Sequence, residues 1–423
     1  MNVKKSKFRL ILFLILFKIA LDISYVYIIS PSYSYAGFSL NIDYIRLIES
    51  YLFVVLLSLT VNSKIDRPSN FLIWMLLVGS IIPTLSFYAL HSGNRLYTYM
   101  IIISYLLIYI ISKLPLMKIS ILKQGYKIGF SFIFILLIAV SVWLISRGGL
   151  QQLSFGFTDI YKHRENMDAI INVGIWSYIN IWVFKVINPA LIGWSLWKKK
   201  YLYLCVFVLL QIIFFGISAH KSVLFIALLI LILYFVLNMK NMINWASLGL
   251  VIMIAISSMV YKLCDNIWLA SLFIRRVFFV PAQLNYAYYE LFHNIGHVYL
   301  SNSIFAHFIK YPFQYPTPLM VGNYLLGITD TWANNGFLGT SYMHFGFWGM
   351  IVFSFIVGVL VWLVDILIYN RLPLWLGLSI IVMPFFSLFT SSDLFTSLLT
   401  HGIIICLLIL WLLGNKSRKE NKP

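Results

Sequence analysis

Long apolar stretches separated by short polar or basic connections recur along almost the whole chain. A membrane-spanning helix needs roughly 20 consecutive apolar residues. Runs of about this length predict about twelve spans, at residues 9–29, 45–62, 69–90, 97–112, 128–145, 172–196, 201–217, 222–238, 244–261, 346–367, 373–390 and 399–414. We therefore expect an all-α, polytopic integral membrane protein in which residues 1–423 form one membrane domain.

Composition supports the membrane class and argues against the soluble one. The chain is 61% hydrophobic and only 10% charged, whereas soluble domains carry about a quarter of charged residues. Cys205, Cys264 and Cys406 show neither paired nor metal-ligand spacing, and no HExxH motif occurs. We expect no disulfide framework, no metal and no cofactor.

The distribution of basic residues predicts the orientation. The net charge is +18, but this excess is uneven. If the N-terminus is cytoplasmic, the inner segments hold nineteen Lys and Arg residues, and the short outer connections hold three, Arg46, Arg95 and Lys221. Cytoplasmic loops of membrane proteins are enriched in Lys and Arg. Both termini are thus expected to be cytoplasmic, and the charge needs no nucleic-acid partner.

Two long outer segments remain, 146–171 and 262–345. The second is dense in aromatic residues, so it is expected to lie on the membrane surface or to fold back onto the bundle. Its pattern predicts an amphipathic helix over 282–297, after Pro281, and a loop punctuated by Gly and Asn over 322–339. All eight histidines fall in outer loops or at outer helix ends, which places any chemistry on the outer face.

Arg275 and Arg276, beside Phe278 and Phe279, form the first candidate cluster. Guanidinium groups bind phosphate in a bidentate manner, and neighbouring aromatics could support a lipid or a sugar ring. The alternative is contact with lipid headgroups at the interface, which is favoured for an arbitrary membrane protein.

Glu290, His293 and His297 follow at spacings of three and four, which would put a carboxylate and two imidazoles on one helix face. Such groups can act as general base towards a sugar hydroxyl. A solvated polar face explains the spacing equally well.

Other cations fall near or inside the spans. Arg147 ends the fifth span, and Lys221 lies in the tight SAHK turn. Either cation could neutralise an anionic substrate. Snorkelling of the side chain to the interface explains Arg147 equally well. Within the spans, Lys18 and Asp22 are four residues apart and are expected to pair, whereas Lys185 has no obvious partner in the sequence.

Several short motifs resemble those of the Wzy-type O-antigen polymerases, also called oligosaccharide repeat-unit polymerases. They are RRVFFVPAQLNYAYYELF (275–292), ANNGFLGTSYMHFGFWGM (333–350), SAHKS (218–222), and Tyr161 with Arg164. Their order, the spans and the large late outer loop agree with that family. The resemblance implies a GT-C-like bundle and a metal-independent glycosyltransferase. That enzyme would join undecaprenyl-diphosphate-linked oligosaccharide units at the periplasmic face of the bacterial inner membrane.

The resemblance also implies roles for individual residues. Glu290, His293 and His344 are the candidates for the base, with His344 standing near the position where many relatives carry an acidic residue. The cations expected on the substrate diphosphate are Arg275, Arg276, Arg164, Lys221 and Arg147. The residues expected to contact sugar or lipid are Phe278, Phe279, Tyr288, Tyr342 and Asn335. A separate co-polymerase that sets chain length is the expected protein partner.

Three alternatives stay open at this point. An O-antigen ligase has a similar topology and similar use of Arg and His. A lipid-linked oligosaccharide flippase would suit twelve spans, although it needs polar residues along several helices. A classical GT-C transferase would use acidic residues of the first outer loop, here Asp43 and Glu49.

Overall fold

The computed structural model describes residues 3–120, 122–156, 160–237, 239, 241–328 and 330–414. Helix makes up 76% of the chain, and the described residues contain no strand. The expected all-α class is confirmed. Because no water is available to backbone groups inside a bilayer, helices that satisfy their own N–H and C=O groups are the structure that apolar runs of this length adopt.

Nine helices in the described part of the chain are long and apolar enough to cross a membrane, which establishes a polytopic membrane protein. Their bounds are Lys4–Ala36, Pro68–Leu90, Arg95–Ser112, Gly125–Ser146, Trp176–Trp197, Tyr201–Ser218, Met242–Cys264, Phe337–Ile368 and Leu394–Leu413. Shorter helices lie at the other three predicted spans: Tyr44–Ser58, Lys221–Val236 and Leu374–Thr390. The count of twelve stays a prediction.

Widened, π-helical turns interrupt four of the rods, and each ends two residues before a proline. Proline lacks an N–H and its ring clashes with the carbonyl four residues earlier. A turn that is one residue wider relieves this clash and keeps the rod continuous. The four pairs are Tyr25–Ile29 with Pro31, Leu77–Ile81 with Pro83, Val183–Ile187 with Pro189, and Ala270–Phe279 with Pro281.

The chain forms two compact units, each assembled from separate stretches. Unit 1 consists of Met1–Pro115, Lys240–Trp362 and Phe386–Leu394. Unit 2 consists of Leu116–Met239, Leu363–Phe385 and Phe395–Pro423. The predicted site residues divide between the units: Arg147, Arg164 and Lys221 belong to unit 2, and all the others belong to unit 1.

The centre of unit 1 is a helix over residues 270–295, here called the crossing helix. It begins before Pro281 rather than after it, because the π turn accommodates the proline. Its side chains contact three different spans in succession: Phe278 packs on Phe17, Asn285 donates to Thr84 and the Tyr286 hydroxyl bonds Thr98. Residues 281–289 are all buried, so this helix is part of the bundle core.

Two expected boundaries in the late loop are wrong. The crossing helix ends at Ile295, where Gly296 has a φ of +91°, so His297 does not share a helix face with Glu290 and His293. The loop expected over 322–339 is shorter, because Thr317–Leu326 and Phe337–Ile368 leave only residues 327–336 between them.

The predicted start of the tenth span at 346 marks a break inside a helix. Phe337–Ile368 is interrupted at Phe345 and Gly346, and Gly346 has a φ of +60° that favours glycine. The Met343 and His344 carbonyls, which lose their helical partners at the break, accept hydrogen bonds from the backbone N–H groups of residues 298 and 299.

A buried ion pair links the first two helices of unit 1. The Lys18 ammonium lies 2.8 Å from Oδ2 of Asp22, which also accepts a 2.8 Å hydrogen bond from the Tyr51 hydroxyl. The Lys18 ammonium sits over the Tyr51 ring as well, 4.3 Å from its centroid. The expected pairing of Lys18 with Asp22 is present.

Candidate functional site

The exposed polar end of the crossing helix carries Glu290 and His293, one turn apart. Glu290 accepts a 3.1 Å hydrogen bond from the Tyr324 hydroxyl. Tyr324 also lines a cavity of about 470 Å³, together with Leu291 and Met320. The carboxylate therefore lies beside a space that is large enough for part of an organic ligand.

His293 is held on one side and open on the other. Its Nδ1 lies 3.1 Å from the Tyr342 hydroxyl, and the Tyr289 ring stacks on it at 5.5 Å. Its Nε2 makes no hydrogen bond within the described residues, and the side chain is exposed. A neutral imidazole fixed through Nδ1 with a free Nε2 is arranged to accept a proton, if Nδ1 carries the hydrogen.

His344 is placed differently, because both of its ring nitrogens are engaged. Nδ1 accepts a 3.2 Å hydrogen bond from the Leu300 N–H, which leaves Nε2 to donate to Asp393 at 3.2 Å. The side chain is 1% exposed. This arrangement fixes the residues around the helix break, and His344 has no free nitrogen for a substrate hydroxyl in this conformation.

His297, which the sequence spacing grouped with Glu290 and His293, lies at the same break. Its ring makes an edge contact with Tyr342 at 5.6 Å, and a Cβ at Gly346 would lie 3.0 Å from its Nε2. Burial lowers the pKa of His297, so the neutral imidazole is favoured. Unit 1 thus brings three histidines close to one tyrosine and one helix break.

The two arginines lie towards the other end of the crossing helix. The Arg275 guanidinium stacks over the Tyr33 ring at 4.1 Å, its Nε is buried without a hydrogen-bond partner among the described residues, and Arg276 is exposed. Fourteen residues separate Arg276 from Glu290, which corresponds to roughly 20 Å along the helix axis. The arginines and the carboxylate therefore cannot contact the same few atoms of a ligand.

The five residues expected to contact sugar or lipid are all buried, and none is more than 3% exposed: Phe278, Phe279, Tyr288, Tyr342 and Asn335. Tyr288 donates to the Ala333 carbonyl at 2.9 Å, and Asn335 donates to Asn285 at 2.9 Å. The expectation of direct contact does not fit this packing. Their aromatic rings pack in the core and Asn335 Nδ2 bonds Asn285, whereas Asn335 Oδ1 is buried without a hydrogen-bond partner among the described residues.

Asp43 and Glu49, the acids of the classical GT-C alternative, are both engaged within unit 1. Asp43 caps the helix Tyr44–Ser58 by accepting from the Ile45 and Arg46 N–H groups. Glu49 accepts from the Tyr88 hydroxyl at 2.5 Å and pairs with Arg95 at 3.3 Å. These contacts give both carboxylates a structural role.

Unit 2 contains a second polar cluster, centred on Asp168, which we did not identify from the sequence. Its carboxylate accepts from Asn172 at 2.7 Å and lies 3.3 Å from His220 Nε2 and 3.5 Å from Arg164 Nε. Arg164 and Asp168 are four apart on the helix Ile160–Ile171, and this spacing was the available signal. His220, by contrast, is distant in sequence.

The charges of this cluster determine its protonation. Burial alone would raise the pKa of Asp168, but the hydrogen bond and charge of His220 and the charge of Arg164 outweigh burial and hold it below its ordinary value. Burial lowers the pKa of His220; the hydrogen bond to Asp168 opposes this, while Lys185 and Arg164 reinforce it. A carboxylate facing a neutral imidazole is the favoured state at neutral pH.

The other two predicted cations of unit 2 are exposed. Arg147 lies just after the helix Gly125–Ser146, with its guanidinium 4.3 Å from the centroid of Trp143. Lys221 begins the helix Lys221–Val236 directly after His220. Tyr161, which the resemblance paired with Arg164, has a side chain outside the described part of the structure.

Each unit thus carries its own group of polar residues. Among the described residues, no group of three or more His, Cys, Asp or Glu side chains could hold a metal ion. No family model, no curated protein and no solved structure matches the chain. What the structure establishes is an all-helical polytopic membrane protein.

Proposed function

We propose that this protein is a membrane glycosyltransferase that joins lipid-diphosphate-linked oligosaccharide units, as an O-antigen or capsule repeat-unit polymerase. The observation that carries the proposal is the crossing helix, which presents Arg275 and Arg276 near one end and Glu290 with His293 near the other. The motif resemblance supports it.

The reaction is a displacement at an anomeric carbon. A hydroxyl of the acceptor attacks that carbon, the bond between carbon and diphosphate oxygen breaks, and the lipid diphosphate leaves with the electron pair. The hydroxyl proton goes to a base, for which His293 is our first choice because its Nε2 is open, with Glu290 next to it. Cations that face the diphosphate stabilise the charge on the leaving group.

The separation along the crossing helix favours a role for the arginines in binding the acceptor. A donor diphosphate is directly attached to the reacting carbon, so it must lie close to the base. The acceptor diphosphate is separated from its reacting hydroxyl by a whole oligosaccharide unit. A separation of roughly 20 Å between Arg276 and Glu290 fits the second case, in which Arg275 and Arg276 hold the acceptor's lipid end.

A ligase would carry out the same chemistry but would take only one lipid diphosphate, whereas a polymerase must bind two. Cations occur in both units, Arg275 and Arg276 in unit 1 and Arg164 and Lys221 in unit 2. This distribution favours the polymerase. In keeping with the charge pattern of the loops, we place the termini in the cytoplasm and the reaction on the outer face of the bacterial inner membrane.

The test is glycan synthesis by the full-length protein in liposomes that contain an undecaprenyl-diphosphate-linked oligosaccharide. Wild type should give a ladder of products that increase by one repeat unit. His293→Gln and Glu290→Gln should each lower the rate of glycan synthesis. The loss should be about 10²- to 10⁴-fold for the residue that is the base. His307→Gln alters an exposed histidine of the same unit and serves as the matched control.

Deletion of the gene in cells distinguishes polymerisation from ligation or flipping. If loss of the gene leaves core lipid with a single repeat unit, polymerisation is the missing step. If no repeat unit reaches the core, the protein is a ligase or flippase and our proposal is wrong. Full activity of both the His293 and the Glu290 variants would refute the assigned base while leaving the polymerase itself standing.

A further inference from the structure

Lys185 lies near the middle of the helix Trp176–Trp197, within its π turn Val183–Ile187. It is partly buried, and it forms no hydrogen bond or salt bridge with any residue that the structure describes. A charged ammonium inside a membrane span is costly unless it is paired or faces a polar cavity. While Lys185 is charged, the described side chains supply no ion pair for it, so an anionic ligand would stabilise it.

The electrostatic neighbours of Lys185 are one arginine, one aspartate and two histidines. Arg164 and Asp168 act on it directly, and its own charge acts on His220 and His401. Asp168 is the one acid among these four neighbours, and it is already held by Arg164, His220 and Asn172. The cluster has an excess of positive charge, which rises further if a histidine is protonated.

The backbone around Lys185 is interrupted as well. The helix segments Leu394–Leu399 and Ile403–Leu413 are separated by a break at Gly402, where φ is +80°. A Cβ at Gly402 would lie 3.3 Å from Val186 Cγ2, so the break packs directly on the π turn. The Leu399 carbonyl, freed by the break, accepts from the Trp182 indole at 2.6 Å. Broken helices inside membrane proteins commonly form binding sites.

We propose that unit 2 binds a phosphate group at this cluster, with Lys185 and Arg164 as the charged ligands. Asp168 is a positioning residue, because its contacts fix both Arg164 and His220. Ammonium and guanidinium groups are the usual protein ligands of phosphate. If the proposed function holds, the phosphate belongs to the diphosphate of a lipid-linked substrate. Inorganic diphosphate shares this chemistry.

The test uses the full-length protein in phosphatidylcholine nanodiscs and measures binding of three probes: undecaprenyl diphosphate, inorganic diphosphate and undecaprenol. Binding of undecaprenyl diphosphate, with or without binding of inorganic diphosphate, supports a phosphate site. Equal binding of undecaprenol, or no binding of either diphosphate, overturns it. Lys185→Met, which keeps length and removes charge, should weaken diphosphate binding roughly ten- to hundredfold.

Two variants serve as controls. Lys185→Arg keeps the charge and should bind within about threefold of wild type, because both side chains are phosphate ligands. Lys198→Met removes an exposed lysine that stacks on Trp197 just beyond the end of the same helix, and it should leave binding unchanged. Equal loss in the Lys185 and Lys198 variants would show a general charge effect and refute the site.

A measurement on wild type does not depend on any variant folding. Acetylation of Lys185, followed by mass spectrometry, should be slowed by undecaprenyl diphosphate and not by undecaprenol. Unchanged modification overturns the proposal. The site and the proposed function fail separately: diphosphate binding without glycan synthesis removes the polymerase and keeps the site. If Lys185→Met synthesises glycan and binds diphosphate as wild type does, the phosphate site is refuted and the polymerase proposal stands.

Discussion

Two lysines inside predicted spans have opposite surroundings. Lys18 in unit 1 is fully buried and has its carboxylate, Asp22, one turn away, with the Tyr51 hydroxyl on the same carboxylate. Lys185 in unit 2 has no ion pair with a described residue, and its charged neighbours are one cation, Arg164, and one carboxylate, Asp168, which Arg164 and His220 already hold. The sequence already separates the two lysines, because Asp22 follows Lys18 by four residues and the span of Lys185 contains no acid.

The difference separates a structural charge from a functional one. A satisfied ion pair has nothing further to bind, and its value is that it fixes the register of two helices. An unsatisfied charge lowers the stability of the empty protein and is retained where a ligand uses it. We expect variants of the two lysines and their neighbours to shift stability in opposite directions.

The largest effect is expected when the Lys18 pair is broken. Asp22→Asn leaves a buried ammonium without its counter-charge and should lower the free energy of unfolding by about 3–5 kcal/mol. Unfolding in detergent, followed by circular dichroism, measures it. The double variant Lys18→Met with Asp22→Asn should recover much of the loss. If Asp22→Asn is as stable as wild type, the pair is not structural and the contrast collapses.

Removal of the Lys185 charge should act in the opposite direction. Lys185→Met takes an unpaired cation out of an apolar span and should raise the stability of the ligand-free protein by roughly 1–3 kcal/mol. The same unfolding assay applies. A loss of stability instead would mean that Lys185 has an anionic partner within the protein, and its assignment as a ligand residue would fall.

A smaller effect is expected from the titration of His220. Its folded pKa lies below the ordinary value of 6.5, chiefly because of burial, so the unfolded chain binds the proton more readily. The stability from this group is therefore present above pH 6.5 and is lost as the pH falls through the folded pKa. Comparison of unfolding from pH 7.5 to 5 for wild type and His220→Gln should show a flatter profile for the variant. Parallel profiles would contradict the assignment.

The smallest effect is expected for Arg147, a cation at the end of a span. It is exposed and stacks on Trp143, and such contacts contribute about 0.5–1 kcal/mol. Arg147→Ala should therefore change the thermal midpoint only slightly. A large loss would show that Arg147 is held by more than its stacking contact.

The sequence predicted the helical class and the position of most spans, because apolar runs of span length leave few alternatives. It predicted the beginning of a helix at Gly346, where the structure has a break inside a helix. A glycine before an apolar run is compatible with a helix start and with a break. Likewise, Pro281 suggested a helix start. The π turn that carries the rod past this proline depends on packing that no local pattern reveals.

Within the site, the exposed pair Glu290 and His293 could be selected from spacing, because both lie on one helix. Asp168 and Asp393 could not be assigned in the same way. Each meets its histidine across about 50 residues of chain, and without a fold the pairing is one of many. The scarcity of acids in this chain, 13 in all, was a usable signal, since an acid next to an apolar run must have a partner.

The division of unit 1 into separate stretches has a consequence for biosynthesis. His344 and its carboxylate partner Asp393 are 49 residues apart, and at the usual rate of translation Asp393 emerges roughly 2–10 s later. During that interval the His344 imidazole is already synthesised, while the carboxylate that accepts from it is not. Unit 1 is therefore completed only after residues 386–394 have followed. A chain cut short before residue 393 would leave His344 buried without its acceptor.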